Sequence, residues 1–191
     1  MPAFFESGIA FSFNEEWLVR KYDAHTYFKG FSGVGLKGVD FISIYQKRQL
    51  VLIEVKNYRS QVPGRKGSHH VQSLANPSAI ASSLGLKATD TLKAIRAIGL
   101  YYERKWFYRI VRPWVPRLRK IMPEWHFWTT ANSLAQESQI IFLCWLEFDA
   151  EHQHLSEIIR GILGDQLKSQ PFQIQAVNTA TNPFGPSLAA R

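Results

Sequence analysis

Apolar and polar positions along this chain fall into stretches of two distinct periods. Val39 to Gln46 and Leu50 to Lys56 read as two strands joined by a tight polar turn around Lys47-Arg48-Gln49. Further on, Leu92, Ile95, Ile98-Gly99, Tyr102 and Trp106 recur at helical intervals, which predicts a helix from about Thr89 to Ile110. Ser138 to Phe148 is strongly apolar and is expected as a strand buried on both faces. Leu155, Ile158-Ile159, Ile162-Leu163 and Leu167 give a late amphipathic helix, and Phe172 to Val177 alternates as a last strand. Near the start, Ser12 and Asn14 are candidate caps and Ser12 with Glu15 matches a capping box. A first helix is therefore expected from about Glu15 to Ala24. The β-formers of His25-Thr26-Tyr27-Phe28 suggest a short strand after it.

Glycine and proline mark the breaks. Phe31 to Gly38 is a glycine-rich loop, and Asn57 to His70, with Pro63-Gly64 and Gly67, is a polar one. Pro113, Pro116 and Pro123 are expected to cut the following stretch into short pieces. From Thr179 onward, with Pro183, Gly185 and Pro186, a flexible tail is expected over 179–191. Mixed helices and strands indicate a single α/β domain over 1–178, with a helical basic insertion at about 85–123.

Composition narrows the class. The 191 residues are 46% apolar and 20% charged, ordinary for a globular chain with a real core. Lys and Arg number 23 against 15 Asp and Glu, a formal net charge of +8, which favours a polyanionic partner such as nucleic acid. The one cysteine, Cys144, excludes an intrachain disulfide and a cysteine-rich zinc cluster. It lies in an apolar run and reads as a buried structural thiol. There is no signal-peptide pattern and no apolar run of membrane-spanning length, so a cytoplasmic protein without a membrane partner is expected.

The strand Leu50 to Lys56 is unusual in ending with Glu54 and Lys56 two residues apart. Strand geometry puts both on one face, about 7 Å apart. A three-residue turn at Lys47-Arg48-Gln49 would pair Asp40 with Lys56 and set Asp40 diagonal to Glu54, on that same face. A two-residue turn would send Asp40 to the other face. Two such carboxylates suit Mg2+, a hard cation that prefers oxygen ligands, with Mn2+ as the expected substitute. The ion would lower the pKa of a bound water, and a neighbouring lysine would orient that water or contact a phosphate. The plain alternative is a salt bridge at a strand end and an aspartate that serves a turn.

Gly38-Val39-Asp40 and Glu54-Val55-Lys56, with the apolar run leading into Glu54, resemble the PD-(D/E)XK nuclease superfamily, which includes Holliday junction resolvases and restriction-type enzymes. The resemblance covers roughly residues 12 to 75, with Val39 where the motif usually has proline. It implies a restriction-endonuclease-like αβββαβ core, a mixed central sheet flanked by helices. It further implies that Asp40 and Glu54 bind the metal and Lys56 positions the nucleophilic water of a DNA-cutting endonuclease. The first helix should add a carboxylate: Glu15 shares the inward face of Leu18, Val19 and Tyr22, whereas Glu16 falls beside Arg20 and Asp23. Gln72 is the counterpart of a glutamine that often follows in resolvase-like members.

Substrate contacts are expected from two basic stretches. The span from Arg104 to Lys120 holds Arg104, Lys105, Arg109, Arg112, Arg117, Arg119 and Lys120 and no acidic residue, interleaved with Trp106, Phe107, Tyr108 and Trp114. Arg59, Arg65 and Lys66, with His69 and His70, follow the second strand directly and would grip the backbone near the cut. His152 and His154, near Asp149 and Glu151, read as a helix start rather than a metal site. Cutting both strands commonly uses a dimer, so a homodimer is an expected assembly. The rivals are a non-cleaving nucleic-acid-binding module of the same fold and a structural or assembly protein whose acid–lysine pair is only an ion pair.

Overall fold

The computed structural model describes residues 3–33, 35–60, 74–104, 110, 122–137 and 140–190. The α/β class holds: a mixed five-stranded sheet carries helices on one face and a second, smaller sheet on the other.

Strand β1 (Ala3–Glu6) and strand β2 (Ile9–Phe13) form a hairpin whose two-residue turn, Ser7-Gly8, has positive φ at both positions. Strand β3 (Trp17–Lys21) follows where a helix was expected. The capping signal is real but serves a turn: the Asn14 side chain accepts the Glu16 N–H at 3.0 Å, and Trp17 N–H bonds back to the Asn14 carbonyl. Conversely, the expected strand at 25–28 lies in helix α1 (Thr26–Ser32), capped by His25 Nδ1 accepting the Tyr27 N–H. Strands β4 (Phe41–Tyr45) and β5 (Gln49–Asn57) are the hairpin read from the sequence.

Helix α2 (Pro77–Arg104) starts twelve residues before the expected point. Ile80, Ala81, Leu84, Gly85 and Ala88 carry its buried stripe backward, and the Asn76 side chain accepts the Ala79 N–H ahead of Pro77. Residues 85–104 are therefore a core layer on the central sheet, not an insertion. Helix α3 (Pro123–Gln136) corrects the expected break at Pro123, which occupies a first helical position, where its missing N–H costs nothing; Pro113 and Pro116 lie outside the described residues. Strand β6 (Ile140–Glu147), wholly buried, helix α4 (Leu155–Gln166) and strand β7 (Phe172–Val177) fall where the pattern placed them.

The large sheet runs β3-β4-β5-β6-β7, antiparallel through the first three strands and parallel from β5 to β7. Even-numbered residues of β5, such as Leu50 and Leu52, join the core under α2, α3 and α4. Odd-numbered ones, such as Val51 and Ile53, face Phe11 and Phe13 of the small sheet. That sheet is completed by strand β8 (Leu188–Ala190), which pairs with β2. The expected flexible tail is thus part of the fold, because Leu188 is fully buried among the aromatic rings. No helix among the described residues is long and apolar enough to cross a membrane.

Leu188→Ala should accordingly lower unfolding stability by about 2–4 kcal/mol, as a core truncation does. Urea denaturation checks this; an unchanged midpoint would mean that the C-terminal strand is detached.

Candidate active site

The site assembles where β4 begins and β5 ends. Tyr45 pairs with Gln49, so the connection is Gln46-Lys47-Arg48, with Gln46 and Lys47 at φ 48° and 59°. A three-residue link was expected, but one position later. The ladder therefore differs by two residues from the expected one: Phe41 faces Ile53, which sets Asp40 opposite Glu54 rather than opposite Lys56. A slip of two keeps the parity of the ladder, and Asp40, in the bend just before β4, lies near enough to Glu54 for that charge to act on its carboxyl. The backbone fixes Asp40 further. Its carbonyl accepts the Tyr22 N–H at 2.8 Å, and its Oδ2 accepts the Val55 N–H at 2.7 Å.

Glu54 has no solvent exposure, and Cys144 stands beside it on β6. Its Oε1 accepts hydrogen bonds from two ammonium groups, Lys56 Nζ at 2.8 Å and Lys87 Nζ at 2.6 Å. Its Oε2 is buried and has no hydrogen-bond partner among the described residues. Burial, reinforced by the neighbouring Glu54 charge, pushes the Asp40 carboxyl up to about 7, against the pull of the Val55 N–H and Lys87. For Lys56, burial works against the charged form, but Glu54 and then Asp40 outweigh it and its pKa is raised. Burial and the Glu54 charge push the Cys144 thiol well above its ordinary value, which suits an inert structural thiol.

Lys87 was not anticipated from sequence. It lies on α2, and one turn later that helix holds the loop leading into Asp40: Asp90 Oδ2 accepts the Lys37 N–H at 3.2 Å and Thr91 Oγ1 the Val39 N–H at 3.1 Å. The signal was a Lys-x-x-Asp-Thr run inside a stripe of small apolar residues, polar groups at positions that should be buried. Gly38 belongs to the same joint. A Cβ there would stand 2.7 Å from the Phe28 ring and 2.8 Å from Tyr22.

A further acidic group surrounds Asp40. Glu6 at the end of β1, Asp23 and Asp40 each offer a ligand oxygen within 4.8 Å of the others. Lys21 Nζ neutralises part of this, at 3.1 Å from Glu6 and 3.9 Å from Asp23. Glu15, by contrast, is exposed in the turn before β3, and Glu16 is exposed beside it and accepts from Gln46 Nε2. With the expected first helix replaced by a strand, the reason for placing Glu15 in the site is gone. The nearby extra carboxylates are Glu6 and Asp23.

The remaining expected residues are dispersed. Arg59 is engaged within the protein, its guanidinium 2.5 Å from buried Glu147, which also accepts from Trp145 Nε1 and the Thr179 N–H. Arg104 ends α2, about 25 Å along the helix from Lys87 at 1.5 Å per residue. Gln72, Arg65, Lys66, His69, His70, Lys105, Arg109, Arg112, Arg117, Arg119 and Lys120 lie outside the described residues. His152 sits in the one-turn 3-10 helix before α4 and His154 at the cap of α4. Among the described residues neither joins a group of three metal-ligating side chains.

A carboxyl whose folded pKa, about 7, exceeds its ordinary 3.8 opposes folding once ionised. In EDTA, stability should fall as pH rises from about 4 to about 7 and then level off. Asp40→Asn should remove this slope and, at pH 8, stabilise the protein by up to about 4 kcal/mol, while gaining nothing near pH 4. Paired denaturant titrations at the two pH values test the sign; an asparagine variant no more stable at pH 8 contradicts it.

Compared with known proteins, the chain matches no family model, no curated protein and no solved structure, so its chemistry has to be read from these side chains.

Proposed function

We propose that this protein is a Mg2+-dependent nuclease that hydrolyses DNA phosphodiester bonds, with Asp40 and Glu54 as metal ligands and Lys56 as the lysine that serves the attacking water. One observation carries the reading. The Asp40 carboxyl, just before β4, lies within the electrostatic reach of Glu54 on β5, and Glu54 keeps a fully buried oxygen, Oε2, without a donor among the described residues. The donor set is all oxygen, which fits a hard divalent cation, Mg2+ or Mn2+. When bound, such an ion supplies charge neutralisation at a phosphate oxygen and a more acidic water.

The protein's own groups do the rest. Asp40 is held rigidly by the Val55 N–H, so its second oxygen has a fixed direction. Lys56 is the more exposed of the two ammoniums on Glu54, at 31% against 21% for Lys87, and so is the better placed to meet a phosphate or its attacking water. Glu6 is the third carboxylate in this reading, taking the part first sought in Glu15. The chain order β3, α1, β4, β5, α2, α3, β6 supports the ββαβ portion of a restriction-endonuclease-like core from β4 onward, although α1 separates β3 from β4 and no helix precedes β3 among the described residues. The net charge of +8 favours a nucleic-acid substrate.

Purified protein with Mg2+ or Mn2+ should convert plasmid, branched or single-stranded DNA to shorter or nicked products. Asp40→Ala and Lys56→Ala should each reduce the rate by about 100-fold or more. Gel retardation without cleavage would instead indicate a binding module, and neither retardation nor cleavage a structural role for the ion pair. For the third carboxylate, calorimetric titration with Mn2+ decides: Glu6→Gln should weaken binding by about fivefold or more while Glu15→Gln changes nothing, and the reverse pattern would restore Glu15.

A further inference from the structure

Glu54 Oε1 carries two ammonium groups while Oε2 carries none among the described residues, and this asymmetry has a use. A buried carboxylate needs at least one cation to offset its lost hydration. It does not need two on the same oxygen. The second allows one lysine to leave without stranding the carboxylate.

The two lysines are not equivalent. Lys56 extends from β5 itself and is the more exposed. Lys87 comes from the middle of α2, a helix anchored to the sheet by its long buried stripe and to the Asp40 loop by Asp90 and Thr91. Lys87 is the shorter contact, 2.6 Å against 2.8 Å. A helix fixed at so many points is a poor candidate for movement, whereas the Lys56 side chain, on four rotatable bonds, keeps 31% of its surface exposed.

We propose that Lys87 is a positioning residue: it stays on Glu54 Oε1, keeping that carboxylate oriented and compensated, so that Lys56 is free to exchange between Glu54 and the substrate phosphate. Without Lys87, Lys56 becomes the sole cation on a buried carboxylate and is trapped there. The helix thus holds both acids of the site, Glu54 through Lys87 and Asp40 through the two bonds to its loop. The transfer of Lys56 to a substrate phosphate rests on the nuclease reading; its release from Glu54 while Lys87 stays does not.

The test therefore begins with a readout independent of activity. Trace acylation of the metal-free protein, with lysine reactivity quantified by peptide mass spectrometry, should show Lys56 reacting faster than Lys87. In Lys87→Met the reactivity of Lys56 should fall by about fivefold or more, as expected when a charged hydrogen bond becomes exclusive. Lys87→Arg, which retains a cation, should restore it. In Glu54→Gln both lysines should react faster than in the parent. Thermal melts confirm that each variant is folded; should Lys87→Met fail to fold, the Lys87→Arg and Glu54→Gln comparisons still decide. Where DNA cleavage is observed, Lys87→Met should lower kcat by about tenfold or more with KM for DNA within about twofold, and Lys87→Arg should recover most of it. Unchanged Lys56 labelling in folded Lys87→Met, or Lys87 labelled faster than Lys56 in the parent, overturns the proposal. The labelling pattern without any cleavage would uphold Lys87 as the anchor that frees Lys56 from Glu54, and sink the nuclease reading alone.

Discussion

An ionised carboxylate with no solvent exposure loses several kcal/mol of hydration, and Glu54 stands at the centre of a mixed sheet under exactly that demand. Its surroundings follow from it. Lys56 is supplied by the strand's own period of two, and Lys87 by a helix that has to lie close against the sheet for a lysine to reach 2.6 Å. Asp40 opposite adds a like charge and so raises the cost, which emerges in its own carboxyl pushed up to about 7. An apolar residue at either acid would fold more easily. The arrangement is one that stability alone does not select.

Burial of β5 on both faces makes this environment. The helix layer covers Leu50, Leu52 and Glu54, while the aromatic hairpin β1-β2 with β8 covers Val51, Ile53 and Val55. Strands β1 and β8 flank β2 in the small sheet, so the three together close over the face opposite the helices. The same hairpin ends in Glu6, which brings a carboxylate to Asp40 from a layer that sequence alone does not connect with it. Fold and site are coupled here through one short strand.

How much of this was legible follows from the range of the interactions. The β4–β5 hairpin and the shared face of Glu54 and Lys56 were readable because strand period and loop parity are local. The exact opposition of Asp40 and Glu54 was not, since a loop beginning at Gln46 rather than Lys47 shifts the pairing by two without changing parity. β3 was misread as a helix because Asn14 makes the same side-chain-to-backbone bond at a turn that it would make at a cap. Pro123 was read as a breaker where it begins α3, the one helical position that tolerates it. β8 was lost because its three residues are apolar only weakly and gain order from tertiary contact with Phe11 and Phe13. Lys87 was beyond reach, since only the folded chain brings α2 to Glu54 across a separation of 33 residues.

Charge at the site separates a structural ion pair from a prepared one. Glu6, Asp23, Asp40 and Glu54 supply four carboxylates, while Lys21, Lys56 and Lys87 supply three ammoniums. With Asp40 ionised the group is one negative charge in excess, inside a chain of net charge +8. A structural network at equilibrium would spread its donors over the available oxygens, because an unmet buried acceptor costs more than a second bond to a satisfied one returns. Here both lysines crowd Oε1 and, among the described residues, leave Oε2 without a donor on the acid whose charge acts on Asp40. A divalent cation between the two acids would answer the excess charge, the bare oxygen and the raised Asp40 carboxyl together, which no single additional hydrogen bond does.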